Sequence, residues 1–217
     1  GTTRRTQDLS ELTVQWRKTL AENHAFTILA GYSWQRDRYS NYWMQNYNFP
    51  SDDYTHNNMG SGQALKDGKA SESSEANESR LIGYFGRLNY SYKGKYMFAA
   101  SIRHEGSTKF GADHKWGNFP SASVAWNIKD EDFLTDTKAL SILKLRAGYG
   151  ITGTVPSNPY MSLNTLNFGT YVYYGGEWIK TIRPDSNANP DLRWEKKKEV
   201  NIGIAFGFFD DVITGNI

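Results

Sequence analysis

The sequence contains no cysteine, which removes disulfide frameworks and thiolate metal sites together. Histidine is scarce: His24, His56, His104 and His114 never fall four apart, so no helical zinc pair forms and no metal site is expected. Asp52, Asp53, Asp113 and Asp185 lack the spacing of a calcium loop and read as solvated loop carboxylates. No stretch approaches the roughly eighteen apolar residues of a membrane helix. That excludes a helical membrane protein but not a β-barrel, whose strands are apolar only at alternate positions. Charge of one sign is also lacking. The 25 Lys and Arg against 23 Asp and Glu give a net +2, and the one basic cluster, Lys196 to Lys198, is bracketed by Glu195 and Glu199, so nucleic acid is not an expected partner.

Catalytic signatures are missing as well. No nucleophile elbow or related pattern gathers the serines, acids and histidines, so the chain does not read as an enzyme. The run from Gly148 to Gly153 has the spacing of a dinucleotide fingerprint, yet Pro156 and Pro159 forbid the helix whose N-terminus would hold the pyrophosphate. No cofactor is expected. The chain opens at Gly1 without an initiator Met or signal segment and stops at Ile217 within a strand-like stretch, so it reads as a piece of something longer.

What the sequence has in abundance is aromatic side chains, 14 Tyr, 11 Phe and 7 Trp, and a period of two. From Ala25 to Gln35 the even positions are Phe26, Ile28, Ala30, Tyr32 and Trp34, while the odd ones are mostly small or polar. The same alternation predicts strands over 80–92, 96–105, 119–128, 142–151 and 198–208. Leu12, Val14 and Trp16 mark an earlier strand and 212–217 a later one, making about eight. Several exceed the length usual in soluble sheets and approach the roughly 9–11 residues that cross a bilayer. Mostly tight connections, at 21–24, 93–95 and 209–211, alternate with longer ones, including loops at 36–79 and 152–197, as in an up-and-down sheet with short periplasmic turns and long external loops. One connection on the short side, 129–140, starts with acids and places Phe133, Leu134 and Leu140 at helical spacing, which predicts a short periplasmic helix. On this reading Tyr90, Tyr92, Tyr96, Trp126, Phe206 and Phe208 mark the periplasmic rim, and Trp34 and Tyr149 the outer one.

Alternation also assigns the opposite face. Arg87, Asn89, Arg103, Glu105, Lys144, Arg146 and Glu199 interleave with the apolar stripe and are expected to face a lumen or an interior plug. The long loops concentrate rings beside amides and hydroxyls. Tyr39, Tyr42, Trp43, Tyr47, Phe49 and Tyr54 occupy the first, and Tyr171, Tyr173, Tyr174 and Trp178 the second. Such sets suit sugar or peptide binding, and equally suit packing of the loops on one another. By contrast, Ser71 to Ser79 reads as a solvated loop tip.

Several runs resemble a known family in order and spacing. They are Gly83 to Tyr96, Ser101 to Gly111, Trp116 to Ser121, Leu143 to Gly153 and Asn189 to Glu195 (NPDLRWE). Together they resemble the barrel of SusC/RagA-type TonB-dependent transporters of Bacteroidota outer membranes, specifically from about residue 80 onward. The resemblance implies an all-β, antiparallel, up-and-down transmembrane β-barrel. About eight of its roughly 22 strands would lie in residues 1–217, as a partial barrel domain without signal peptide, plug or remaining strands. It also implies an outer-membrane location, energy from TonB through a plug region, a SusD-like surface lipoprotein as lid, and an oligosaccharide or oligopeptide as substrate. Two other classes stay open at this point, a soluble β-sandwich that binds carbohydrate and a surface adhesin without transport.

The facing assignment is testable by substitution. Arg at Ile28 or Leu88 is expected to cost about 2–4 kcal/mol near the bilayer midplane, whereas polar exchange at Ser101 or Asn89 is mild. Folding into lipid vesicles measures both, and equal tolerance of the two faces refutes the assignment.

Overall fold

A strand with one apolar face still needs partners for its backbone N–H and C=O groups, and it finds them on neighbouring strands. The computed structural model describes residues 1–53, 56–134 and 136–217. Ten strands run through them: β1 (Thr2–Leu20), β2 (His24–Gln45), β3 (Ser71–Tyr92), β4 (Tyr96–Ser107), β5 (Trp116–Asn127), β6 (Leu140–Thr154), β7 (Thr165–Tyr174), β8 (Glu177–Ser186), β9 (Glu195–Phe208) and β10 (Ile213–Asn216). Eight of them form one sheet in the order β1-β2-β3-β4-β5-β6-β9-β10, and β7 pairs with β8 as a hairpin inserted between β6 and β9. All eight strands read from alternation are present. Consecutive strands pair in a single meander, which is an up-and-down wall and not the two facing sheets of a sandwich.

The registers from β3 onward are antiparallel and almost unbroken. Leu88 pairs with Ala100, Ala100 with Ala122, Ala122 with Tyr149 and Tyr149 with Val200, so one rung crosses five strands without slipping faces. The neighbouring rung on the opposite face is Arg87, Ser101, Ser121, Gly150 and Glu199. A one-residue slip would exchange these two sets, which is why the alternation specifies the register so strongly. Tight turns fix it further: between β3 and β4 both Lys93 (φ 51°) and Gly94 (φ 69°) are left-handed, the geometry that matches the twist of a hairpin.

Two expected loops prove to be largely strand. β2 and β3 each run 22 residues, so the loop expected at 36–79 contracts, and Ser71 to Ser79 is the first part of β3 rather than a loop tip. Apolar alternation ends where both strand faces become polar, but backbone pairing does not depend on it. Polar cross-strand pairs take over there, with Arg36 to Glu78 at 2.5 Å and Arg38 to Asp8 at 2.9 Å. The second long loop, expected at 152–197, contains the β7–β8 hairpin, turned at Gly175 (φ 64°) and Gly176 (φ 91°).

The chain divides into two compact units, residues 1–8 with 35–80, and residues 9–34 with 81–217. In the first, Asn46 organises the segment between β2 and β3, which contains a 3-10 turn (His56–Ser61) and a one-turn helix α1 (Gln63–Lys66). Its side-chain amide donates to the carbonyls of Met59 (2.7 Å) and Gly62 (3.0 Å), and its oxygen accepts from the N–H groups of Tyr47 and Leu65. In the second, the expected helix after β5 takes the form of two 3-10 turns, Ile128–Asp130 and Asp132–Leu134, with Glu131 between them. Glu131 Oε1 accepts from the Tyr96 hydroxyl (2.5 Å) and the Trp126 indole N–H (2.8 Å), and Oε2 faces the Lys95 ammonium at 3.5 Å. Those anchors hold the backbone at Glu131 extended, so no continuous helix forms.

The same contacts set a pH dependence. Hydrogen bonds from Tyr96 and then Trp126, with the Lys95 charge behind them, hold the Glu131 carboxyl below the usual carboxylate range. A depressed folded value means that the stabilisation is complete above the ordinary Glu value and is lost as pH falls through the folded one. Unfolding of the intact protein in detergent is therefore expected to ease below about pH 4, and Glu131→Gln to flatten that part of the profile. An unchanged acid limb in the variant contradicts this role.

Candidate functional site

The sheet brings the sequence-predicted polar residues onto one face. Arg87 and Glu199 end the same rung, Asn89 and Asn201 the next, and Arg103, Glu105, Lys144 and Arg146 share their parity. Between them the rungs are floored by Ala99, Ser101, Ser121, Ser123, Gly148 and Gly150, leaving a groove of about 490 Å³ with Arg87 and Asn89 on one side and Glu199 and Asn201 on the other. The Ser101 and Ser121 hydroxyls bond across the floor at 2.7 Å. Nearer the long connections, Phe85 lies over Gly31 and is covered by the Arg103 guanidinium, 5.5 Å from the ring centroid. Arg103 also donates to Glu105 (2.7 Å) and Ser33 (3.3 Å).

The opposite face is apolar and open. Val200 is 71% exposed and Ile202 72%, with Ile28, Ile102 and Val124 near half. Rings bound this surface at both ends. At the tight-turn end His24, Tyr92, Tyr96 and Trp126 follow one another at centroid distances of 4.8, 6.2 and 6.2 Å, and Phe206 and Phe208 continue the band on β9. At the other end Tyr32, Tyr84, Trp116 and His104 form a second chain of ring contacts. Tyr84 and Tyr92 are eight positions apart on β3, about 27 Å along the strand and about 21 Å along the normal of a strand tilted by roughly 40°. The same spacing recurs on β9, where Phe208 lies eight positions from Val200, the partner of Tyr149. An apolar belt of about 25 Å between two aromatic girdles has these dimensions.

The loop aromatics fall into two separate sets. Tyr39, Tyr42 and Trp43 lie in β2 and Tyr47 just beyond it, within the first unit; Tyr54 lies outside the described residues. Arg5 stacks over Tyr39, and Tyr42, Trp43 and Tyr47 are exposed. In the second unit Tyr171, Tyr173 and Trp178 share one face of the β7–β8 hairpin with Leu166, Phe168 and Ile182, all exposed, and Tyr173 meets Trp178 at 5.4 Å. Tyr174, exposed as well, projects from the other face of that hairpin.

A further cluster carries no functional assignment from sequence reasoning. Phe110, Phe119 and Trp194 bury one another on the polar side, Phe110 to Trp194 at 4.7 Å and Phe119 to Trp194 at 5.0 Å. Gly117 and Gly153 make the room: a Cβ on either would stand 2.5 Å or less from the Phe119 ring. The cluster joins segments far apart in the chain. The sequence places a glycine beside two of the three rings, in Phe110-Gly111 and Gly117-Asn118-Phe119, but none near Trp194, and it does not show that the three meet. Among the described residues no three imidazole or carboxylate groups converge as a metal site would require.

Comparison with known proteins places this architecture. The family model described as TonB dependent receptor-like, beta-barrel, matches residues 1–217, the whole chain. The chain belongs to the TonB-dependent receptor β-barrel family. Membership thus extends through the first 79 residues, where the family runs are absent. Among curated relatives, the TonB-dependent receptor SusC of Bacteroides thetaiotaomicron is 43% identical over 147 residues, 65% of this chain and 14% of that protein. A TonB-dependent receptor of Formosa agariphila is 31% identical over 206 residues, 95% of this chain and 20% of that one. The chain thus spans about a seventh to a fifth of the relatives' lengths. Among solved structures, that of the RagAB peptide transporter superposes with a TM-score of 0.89 over 99% of this chain and 23% of its own, at 22% identity, which speaks for the fold.

Within this TonB-dependent receptor barrel wall, the glycine notches generate a prediction. Gly153→Ala is expected to destabilise by about 1–3 kcal/mol through overpacking of Phe119 and Trp194, whereas Gly148→Ala, with ordinary contacts around its Cβ, is expected to be nearly neutral. Denaturation of the two variants in detergent measures the difference, and equal stabilities contradict it.

Proposed function

We propose that this chain forms part of the wall of an outer-membrane, TonB-dependent importer of oligosaccharides or oligopeptides, and that residues 1–217 are one portion of its barrel domain. The observation that carries the reading is the open apolar face bounded by two ring bands. A surface of that extent needs hydrocarbon against it, and the band spacing fits a bilayer core. Family membership supports it, as does likeness to SusC and, in fold, to the RagAB peptide transporter.

In this reading the groove face looks inward. Arg87, Asn89, Arg103, Glu105, Lys144, Arg146 and Glu199 line the lumen or touch a plug supplied by the rest of the polypeptide. Energy enters through TonB and that plug, so the wall itself needs no nucleotide. Tyr39, Tyr42, Trp43 and Tyr47, and separately Tyr171, Tyr173, Tyr174 and Trp178, contact substrate or a SusD-like lipoprotein lid. Their flat rings, all exposed except the half-buried Tyr39, supply large contact areas at little conformational cost.

Uptake of labelled oligosaccharides and oligopeptides by cells with and without the intact protein tests the proposal. Loss of uptake of one substrate class on deletion, and equally on uncoupling from TonB, is expected. Adhesion lost with uptake intact would instead favour a surface adhesin. The double variant Tyr173→Ala, Trp178→Ala is expected to weaken binding of that substrate or of the lid by more than about 1 kcal/mol, read by titration of the purified protein.

A further inference from the structure

Residues 155–194 leave the sheet after β6 and rejoin it at β9 on two legs, 155–164 and 187–194, with the β7–β8 hairpin between them. The legs meet where the Asn189 N–H donates to the Ser162 carbonyl at 3.2 Å. The β4–β5 connection, residues 108–115, reaches both. Toward the first leg the Lys109 ammonium donates to the carbonyls of Pro156 (2.8 Å) and Ser157 (2.9 Å), and the Ser162 hydroxyl donates to the Phe110 carbonyl at 3.4 Å. Toward the second, the Gly111 N–H donates to the Leu192 carbonyl (3.1 Å) and the Trp194 indole to the Lys115 carbonyl (2.9 Å). Phe110, 2% exposed, packs on Trp194 at 4.7 Å, and Val155 and Leu192, one from each leg, pack against the cluster these rings form with Phe119. The fit is close: a Cβ on Gly111 would stand 1.7 Å from the Pro190 carbonyl oxygen, backbone against backbone.

We infer that the β4–β5 connection is a latch. It holds residues 155–194 as an arm fixed to the wall, and withdrawal of Phe110 and Lys109 from between the legs is the step that frees the arm. The contacts that make the latch are the Phe110 ring against Trp194, a few hydrogen bonds from a loop and the His114 to Asp191 contact at 3.4 Å, not a strand ladder. They open without disturbing the pairing of β5, β6 and β9, as a local unit of low stability does. While the latch is closed, the hairpin face bearing Tyr171, Tyr173 and Trp178 has one fixed position; once open, that face moves while the wall stays in place. The inference concerns the arm alone and holds whether or not the protein transports.

Hydrogen exchange of the intact, membrane-embedded protein, followed by mass spectrometry, tests the latch. Phe110→Ala is expected to speed exchange in both legs roughly tenfold or more while β5, β6 and β9 keep their protection. Lys109→Met is expected to speed exchange in the first leg alone, and Lys109→Arg to leave it near the parent rate. Unchanged legs in both variants, or a rise shared equally by β5, β6 and β9, overturns the latch. If Phe110→Ala does not fold, the Lys109→Met and Lys109→Arg pair decides by the same criterion.

Discussion

Everything in this wall follows from one requirement: a chain in contact with hydrocarbon must satisfy every backbone N–H and C=O internally while offering only apolar side chains outward. Antiparallel strands meet the first demand, and an unbroken period of two meets the second. The rung Leu88, Ala100, Ala122, Tyr149 and Val200 shows both at once, since each residue pairs with the next strand and all face the same way. Aromatic rings then mark where the apolar face ends, because a Tyr or Trp there keeps its body in the apolar region and its polar atom in water. Glu131 adds a second use of that atom. It takes the Tyr96 hydroxyl and the Trp126 N–H and thereby fastens the turn after β5 to the band.

With one face committed to the membrane, chemistry is confined to the other face and to the connections. The rungs of the groove face are floored by small residues and edged by charge, which leaves open space along the sheet and gives that space a polarity from Arg87 toward Glu199. Long connections face a different problem, since they rise from the sheet without a core of their own. The Phe110, Phe119 and Trp194 cluster supplies one, with glycines placed where a side chain would fill the space needed by a ring or by another backbone.

How much was legible depended on whether a period existed to be read. Eight strands and the sharing of one face by the charged residues Arg87, Arg103, Lys144 and Glu199 were readable because a half-apolar strand imposes alternation residue by residue. The outer halves of β2 and β3 were not: Ser71 to Ser79 carries no apolar stripe, and its pairing depends on partners such as Arg36, distant in sequence. The β7–β8 hairpin had a signal, paired glycines between β-branched and aromatic runs, that was submerged by the aromatic richness of the segment. Short acidic segments such as 129–134 look helical by spacing, and only the tertiary bonds to Glu131 show why the helix is broken. The ring cluster joins loops far apart in sequence, so no local pattern could reveal that Phe110 and Trp194 meet.

The central claim is that one face of the sheet lies against lipid and the other does not. Because these residues include no cysteine, single cysteines introduced from Arg87 to Tyr92 and from Ala99 to Arg103 can carry nitroxide labels in the intact protein reconstituted in bilayers. Collision rates with oxygen, which concentrates in hydrocarbon, and with a water-soluble nickel chelate then report the surroundings of each position. The account predicts oxygen maxima at Leu88, Tyr90, Ala100 and Ile102, with minima at Arg87, Asn89, Ser101 and Arg103. A flat profile, or one of opposite phase, would contradict it.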